Sequence, residues 1–239
     1  MGVEQGLREF RETNDGEAFS LQNQKLLKVE LSDVTIQAKL GAMVAYQGEV
    51  KYEHAGSGGL SKFIKKSVTG EGTRLMKISG SGEVFLADHA QEIHLVKLQD
   101  DKLTINGANL LAFDAGIEWD IKKVQGVSGA LAGGLFNLEL TGSGSVALLS
   151  DGPPLLLQVD EAPTFADPAA AIAWSSGVST SVKTDMSMKS LIGRGSGESV
   201  QLAFSGTGWL LIQPSEGVLE GGQTASRGRG GGLGDFLGN

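Results

Sequence analysis

The fold is indicated by Gly72-Thr-Arg-Leu-Met-Lys-Ile-Ser-Gly80-Ser-Gly82-Glu-Val-Phe-Leu86, because two further versions of this segment follow in the chain. They are Gly134-Leu-Phe-Asn-Leu-Glu-Leu-Thr-Gly142-Ser-Gly144-Ser-Val-Ala-Leu148 and Glu198-Ser-Val-Gln-Leu-Ala-Phe-Ser-Gly206-Thr-Gly208-Trp-Leu-Leu-Ile212. Residues that alternate with a period of two are typical of half-buried strands, and glycine accepts positive φ in tight turns. We therefore predict a strand, a turn and a strand in each version, with structural turns at Gly80, Gly82, Gly142, Gly144, Gly206 and Gly208.

The spacing of this motif predicts internal repeats. Gly142 follows Gly80 by 62 residues, and Gly206 follows Gly142 by 64. A fixed period of this length marks repeated units. Upstream of each motif an aromatic residue follows a small one, and we expect these aromatic residues, Tyr46, Phe113 and Trp174, to anchor the core of each unit. We predict an all-β chain with an acidic arm at 1–25, repeats at 26–91, 92–154 and 155–217, and a disordered glycine-rich tail at 218–239.

The composition supports this class and narrows the setting. The 239 residues include 36 glycines and five prolines, which suit many short strands and tight turns. The absence of cysteine excludes disulfides and thiolate ligands and fits a reducing compartment. We find neither a signal peptide nor an 18-residue apolar stretch, so we expect a cytoplasmic protein without a membrane span. The net charge of −8 argues against nucleic acid as the main partner.

The residues with catalytic chemistry do not form a convincing set. A metal-dependent enzyme would rest on Asp88, His89, Glu92 and His94, but His89 and His94 are an odd number of residues apart and point to opposite faces of a strand. The third histidine is His54. The serines of Gly56-Ser-Gly and Gly195-Ser-Gly lie in predicted loops between strands, whereas a nucleophilic serine needs a histidine and a carboxylate nearby. We predict no enzyme, and no catalytic, cofactor-binding or metal-binding residue.

Three other segments have features of ligand-binding sites, and two of them favour a binding protein as the alternative. Gly193-Arg-Gly-Ser-Gly-Glu198 resembles a phosphate-binding loop, but it lacks the following Lys-Ser/Thr pair and helix. Basic residues that favour a small ligand or nucleic acid lie in one loop and in the tail; they are Lys62, Lys65, Lys66, Arg227 and Arg229. We interpret the loop lysines as solvated and the two tail arginines as a weak signal.

Residues 26–216 resemble the altered-inheritance-of-mitochondria protein 24 family. The resemblance rests on four runs, which are Gly41-Ala-Met-Val-Ala-Tyr-Gln-Gly48, Glu92-Ile-His-Leu-Val-Lys-Leu-Gln-Asp-Asp-Lys-Leu103, Asn109-Leu-Leu-Ala-Phe-Asp114 and Gly206-Thr-Gly-Trp-Leu-Leu-Ile-Gln-Pro214. It implies a fold similar to the tryptophan RNA-binding attenuator, repeated three times in a ring, and self-assembly as a trimer. It supplies no catalytic or cofactor residues to transfer. Members often have Gly-Glu-Gly where this chain has Gly133-Gly-Leu, which affects only that loop.

Mitochondrial members of the family are linked to inner-membrane organisation, but we find no transit peptide and expect a bacterial cytoplasmic setting. The leading hypothesis is a non-enzymatic β scaffold or assembly module that forms a homo-oligomer and has a protein partner of unknown identity. The alternatives are a small-ligand or nucleic-acid binding protein and, second, a metal-dependent enzyme.

Overall fold

The computed structural model describes residues 3–32, 34–54, 74–123, 136–183 and 201–215, and in these ranges it is an all-β protein, as predicted. A one-turn helix at Val3–Gly6 and short 3-10 helices at Arg8–Phe10 and Gly107–Asn109 are the helical segments of these ranges. The strands are β1 (Phe19–Asn23), β2 (Leu26–Ser32), β3 (Ile36–Lys39), β4 (Met43–His54), β5 (Leu75–Leu86), β6 (Glu92–Asn106), β7 (Leu110–Asp114), β8 (Glu118–Lys123), β9 (Phe136–Ser150), β10 (Leu155–Val159), β11 (Thr164–Ala166), β12 (Ala171–Ser175), β13 (Val178–Lys183), β14 (Gln201–Gly206) and β15 (Gly208–Ile212).

Most of the strands belong to one large antiparallel sheet. Its order is β1-β2-β5-β3-β7-β9-β6-β12-β15-β10, with β4 added to β5 and β8 added to β9. A second sheet has the order β11-β14-β13. The large sheet is continuous across the predicted repeat boundaries, because β3 pairs with β7 and β6 pairs with β12. The boundaries at 26–91, 92–154 and 155–217 stay predictions.

The quoted motif lies in strands that change neighbours part of the way along. In β5, residues 75–78 pair with β3 and residues 81–86 pair with β2. In β9, residues 136–141 pair with β8, and the residues from 146 onward pair with β7. The third version is divided, since β14 belongs to the small sheet and β15 to the large one. The motif therefore marks the place where a strand leaves one neighbour and meets another.

The prediction that these glycines form hairpin turns is wrong. Gly80 and Gly82 lie inside β5, and Gly142 and Gly144 lie inside β9. Gly206 and Gly208 separate two strands that continue into different sheets and do not fold back on each other. All six glycines have positive φ, for example +125° at Gly80, so the backbone bends at them without reversing.

The predicted acidic arm at 1–25 ends earlier than expected. Residues 19–23 form β1, which pairs with β2 through Phe19 opposite Val29 and Leu21 opposite Leu27. Phe19 is buried against the same cluster as β2. Two apolar side chains were too few to show as alternation in the sequence, yet they are enough to cover the outer edge of a strand that is already in place.

The core consists of three apolar clusters that follow the chain. The first is built on β2, β3 and β5, the second on β6, β7 and β9, and the third on β10 to β15. Phe113 belongs to the second cluster, and Trp174 belongs to the third, where its ring meets Phe204 edge to face at 5.4 Å. Residues 155–159, which alternate little in burial, form β10 at the end of the large sheet.

Candidate interaction surface

The carboxylate of Asp88, a candidate metal ligand, lies between a lysine and a histidine side chain. Its oxygens lie 2.6 Å from Lys39 Nζ and 2.6 Å from His89 Nδ1. Burial by itself would raise the pKa of Asp88, but the hydrogen bond and charge of Lys39, together with His89, outweigh it and lower that pKa below its ordinary value. Asp88 is therefore an ionised partner of Lys39, and this arrangement suits an ion pair that fixes the β3 end to the turn after β5.

His94 is bound to a serine in a way that does not activate the serine. His94 Nε2 lies 2.7 Å from Ser150 Oγ, and that hydroxyl donates to the carbonyl oxygen of Gly152 at 2.7 Å. The hydroxyl proton of Ser150 is used in the bond to Gly152, so His94 Nε2 must donate its own proton to Ser150 Oγ. Nε2 therefore has no free lone pair that could take the proton of the serine. Burial lowers the pKa of His94, with the charge of Glu92 acting in the opposite direction. Ser150 is fully buried, and the pair is structural.

The described ranges contain no group of three or more His, Asp or Glu side chains placed to hold a metal ion. Asp88 and His89 thus form one hydrogen-bonded pair and His94 pairs with Ser150, so the four candidates do not form one site. Glu92 acts on His94 through its charge, which by itself would raise the pKa of His94. His54 is the last residue of β4. The remaining sequence candidates lie outside the described residues; they are Ser57, Lys62, Lys65, Lys66, Gly193–Glu198, Arg227 and Arg229, together with the residues after 215 that include the predicted tail.

A shallow depression opens at the bend of β5. Its volume is about 350 Å³, and it is lined by Val34, Thr35, Glu49, Lys51, Gly80 and Ser81. One carboxylate and one ammonium group on the same strand give it no net charge. The depression offers neither a cluster of like charges for an ionic ligand nor an enclosed apolar wall for a neutral one.

The three aromatic residues upstream of the motifs, Tyr46, Phe113 and Trp174, have matching places in the sheet but different exposure. Each lies just after a register shift, which falls between Met43 and Ala45, between Leu110 and Ala112, and between Ala171 and Ala173. Phe113 is 0% exposed and Trp174 is 3% exposed, whereas Tyr46 is 48% exposed. The prediction that these residues anchor the core is confirmed for Phe113 and Trp174 and is wrong for Tyr46.

The reason for the difference is a neighbouring strand. Phe113 lies opposite Gln37 of β3, and Trp174 lies opposite Thr104 of β6. Among the strands that the structure describes, β4 pairs with β5 alone, so nothing in these ranges continues the ladder beyond Tyr46. Val44 is exposed for the same reason, although its counterparts Leu111 and Ile172 are buried. We call the outer side of residues 43–47 the β4 edge.

A second open edge lies in the small sheet. Within the described ranges, β11 pairs only with β14, and its central residue Phe165 is 41% exposed with Lys183 Nζ 4.5 Å above the ring centroid. The β4 edge and β11 were not predicted from the sequence. The one signal in the sequence was the hydroxyl of Tyr46, since tyrosine suits a place where one end of the ring is apolar and the other is wet.

In the part of the chain with described structure, no helix is long and apolar enough to cross a membrane.

Comparisons with known proteins give a family match and a similar solved structure. The family model described as "Mitochondrial biogenesis AIM24" matches residues 19–215. A search of curated proteins found no match. Among solved structures, the chain is similar to the crystal structure of protein SPYM3_0169 from Streptococcus pyogenes, with 24% identity, a TM-score of 0.66, and coverage of 82% of this chain and 92% of that chain. At this identity the likeness shows a shared fold alone.

Proposed function

The chain belongs to the family described as "Mitochondrial biogenesis AIM24", which confirms the resemblance found in its sequence, and we propose that it is a scaffold. In this proposal the protein is a non-enzymatic β module that assembles with copies of itself. The fold is shared with a bacterial protein, which is compatible with a bacterial cytoplasmic setting. The trimer that the resemblance implies is the expected state. A protein partner of unknown identity would bind to the assembled scaffold.

The observation that carries this proposal is the exposure of Tyr46. An aromatic residue at the same place in the pairing scheme is buried by a neighbouring strand in two other parts of the molecule. Long unpaired strand edges with apolar side chains promote association, and soluble proteins cover them. A second protein molecule that covers the β4 edge would give Tyr46 the environment of Phe113 and Trp174.

The chemistry of the described residues supports a scaffold rather than the alternatives. Asp88, His89 and His94 form ion pairs and hydrogen bonds with nearby structural groups, and these contacts account for their positions without a substrate or a metal. The residues that favoured a small ligand or nucleic acid lie outside the described ranges, so no contact or distance adds to that alternative.

The test is the mass of the full chain in solution, measured by light scattering at a concentration of tens of micromolar. We expect a small multiple of 24.9 kDa for the wild-type chain. Tyr46→Asp should lower the mass toward that of one chain, because a carboxylate cannot be buried in an apolar joint without a partner. Tyr52→Asp is the matched control, since Tyr52 is an exposed tyrosine on the same strand but away from the β4 edge.

A wild-type mass near 24.9 kDa would refute self-assembly. Equal loss of mass in both tyrosine variants would show that exposed aromatic residues in general hold the assembly together, and that the β4 edge has no special part. Metal analysis of the purified protein tests the enzyme alternative, because a bound transition metal at a fixed ratio would restore it.

A further inference from the structure

Two joints inside the chain have the same register. Where β3 meets β7, Ile36 lies opposite Asp114, Gln37 opposite Phe113, and Ala38 opposite Ala112. Where β6 meets β12, Leu103 lies opposite Ser175, Thr104 opposite Trp174, and Ile105 opposite Ala173. In both joints the aromatic residue is the central one of three antiparallel pairs, with alanine on one side of it. The molecule therefore uses one rule of strand pairing twice.

The β4 edge has the first half of a third joint of this kind. Ala45, Tyr46 and Gln47 follow the same register shift that precedes Ala112 in β7 and Ala173 in β12. Alanine and an aromatic residue thus recur in the same order. Among the strands with described structure, none lies beside this edge.

The strand β11 has the second half. Ile36 in β3 lies opposite Ile78, Leu103 in β6 lies opposite Leu140, and Thr164 in β11 lies opposite Phe204. Residues 78, 140 and 204 each come two positions before the first glycine of the motif, at 80, 142 and 206. Thr164–Ala166 is thus the counterpart of Ile36–Ala38 and of Leu103–Ile105, the segments that form the two existing joints.

We propose that the β4 edge binds β11 of a second copy of this chain, with Ala45 opposite Ala166, Tyr46 opposite Phe165, and Gln47 opposite Thr164. The inference rests on the proposed function and names the surfaces by which the copies meet. The joint makes Tyr46 and Phe165, which are both exposed in the single chain, directly opposed neighbours on one face of the sheet, where aromatic cross-strand pairs stabilise a sheet. Ala45 opposite Ala166 repeats the pairing of Ala112 with Ala38.

In this proposal the matching strand comes from another molecule, because the described part of the chain leaves both edges open at once. β4 is paired in the large sheet and β11 in the small one, and the two do not pair with each other. One surface of each copy meets a different surface of the next, which makes the contact heterologous. Such contacts form a closed ring when the rotation between copies closes, and a filament when it does not.

Cysteine cross-linking of the full chain tests the register. The chain has no cysteine, so introduced thiols are the only ones present. Chains with Tyr46→Cys are mixed with larger, tagged chains with Phe165→Cys and oxidised mildly. Residues directly opposite in an antiparallel ladder have Cα atoms within the range of a disulfide. We expect a disulfide-linked pair of one small and one large chain, seen on a non-reducing gel only for the mixture.

A second mixture, of Gln47→Cys with Thr164→Cys, guards against poor geometry at one position, because adjacent pairs of a ladder alternate between the wide and the close type. The control mixture, of Tyr52→Cys with Phe165→Cys, should give at most a tenth of the linked product. Tyr52 is as exposed as Tyr46, at 47%, but lies six residues further along β4.

Each other result overturns the proposal in a different way. Linkage of Tyr46→Cys chains to one another would show that two β4 edges meet. A double variant, Tyr46→Cys with Phe165→Cys, that closes a disulfide within one chain would show that β11 of the same chain covers the edge. Absence of linkage in both mixtures, with an oligomeric mass by light scattering, would reject this joint while the scaffold proposal stands. A one-chain mass for the unmodified protein would instead reject the scaffold proposal itself.

Discussion

The pair β4–β5 and the region of β7, β8 and β9 use the same pairing scheme. They differ in whether the partner of the glycine-containing strand is one strand, β4, or two, β7 and β8. β4 runs without interruption from Met43 to His54 beside β5. Its counterpart is divided into β7 and β8 by a turn in which Ile117 N donates to Asp114 O at 3.0 Å, and the Asp114 carboxylate accepts from Ser145 N at 2.6 Å. The β7 region also has β3 beside it, whereas the β4 edge is open among the described strands.

This difference shows that burial of an aromatic residue depends on the strand beside it. Tyr46 and Phe113 are preceded by the same register shift and the same alanine, yet only Phe113 belongs to the core. The comparison also shows what the β4 edge would gain from a neighbour. Substitutions at matched residues of the two regions test this explanation.

The largest expected effect is that of Phe113→Ala. Loss of a fully buried phenylalanine leaves a cavity and should lower the free energy of unfolding by about 3–5 kcal/mol. Tyr46→Ala should cost less than about 1 kcal/mol at low protein concentration, where an exposed side chain has few contacts to lose. Urea unfolding followed by circular dichroism measures both.

Protein concentration separates the two sites. Burial of Tyr46 between copies would make the cost of Tyr46→Ala grow as the concentration rises, because association stabilises only the folded state. The cost of Phe113→Ala should be the same at every concentration. A cost of Tyr46→Ala that does not change with concentration would show that association does not bury Tyr46, and a second copy would then not supply the neighbour that Phe113 has.

The bend glycines give the next largest effects. Gly142→Val should lower the free energy of unfolding by roughly 1–3 kcal/mol, since φ is +126° and the nearest atom to an added Cβ is 4.0 Å away, so only the backbone is strained. Gly80→Val should cost more, because φ is +125° and a Cβ would also overlap the carbonyl oxygen of Glu49 in β4.

Thermal unfolding of both glycine variants, with Gly116→Ala as the control, checks this order. Gly116 has ordinary φ and nothing within 4 Å of an added Cβ, so its variant should differ little from the wild type. A Gly142→Val variant as stable as the wild type would show that β9 can bend without a glycine.

The sequence was sufficient for the fold class and insufficient for the edges. Alternation and glycine spacing predicted strands at the right places, because these patterns reflect local backbone and burial preferences. The same glycines were assigned to hairpins because positive φ is shared by a reversal and a bend, and only the strands on either side distinguish them. The exposure of Tyr46 could not be predicted, because it depends on whether a segment that is distant in sequence lies beside the strand. β3 does so for β7, and no described strand does so for β4.

The smallest effect concerns His94, whose counterpart in the β4–β5 region is the buried Leu27, since both lie opposite the fourth residue after the second glycine of the motif. Burial lowers the pKa of His94 in the folded protein below its ordinary value near 6.5. As the pH falls below about 6.5, the unfolded chain therefore binds a proton before the folded protein does. The contribution of His94 to stability is complete above this pH, decreases as the pH falls toward the folded pKa, and changes no further below it. The ordinary limit for one proton is about 1.4 kcal/mol per pH unit, and partial exposure of the ring keeps the effect smaller.

Urea unfolding of wild type and His94→Leu between pH 5 and 7.5 should show a decrease with falling pH in the wild type that the variant lacks. His89→Asn is the control, because it removes an exposed histidine and keeps a residue that tolerates the positive φ of 46° at that position. Asp88 does not interfere, since its lowered pKa places its contribution to stability at more acidic pH, where it is lost as the pH falls through that pKa. An unchanged pH dependence in His94→Leu would mean that the histidine titrates alike in both states, and that burial does not favour the neutral ring in the folded protein.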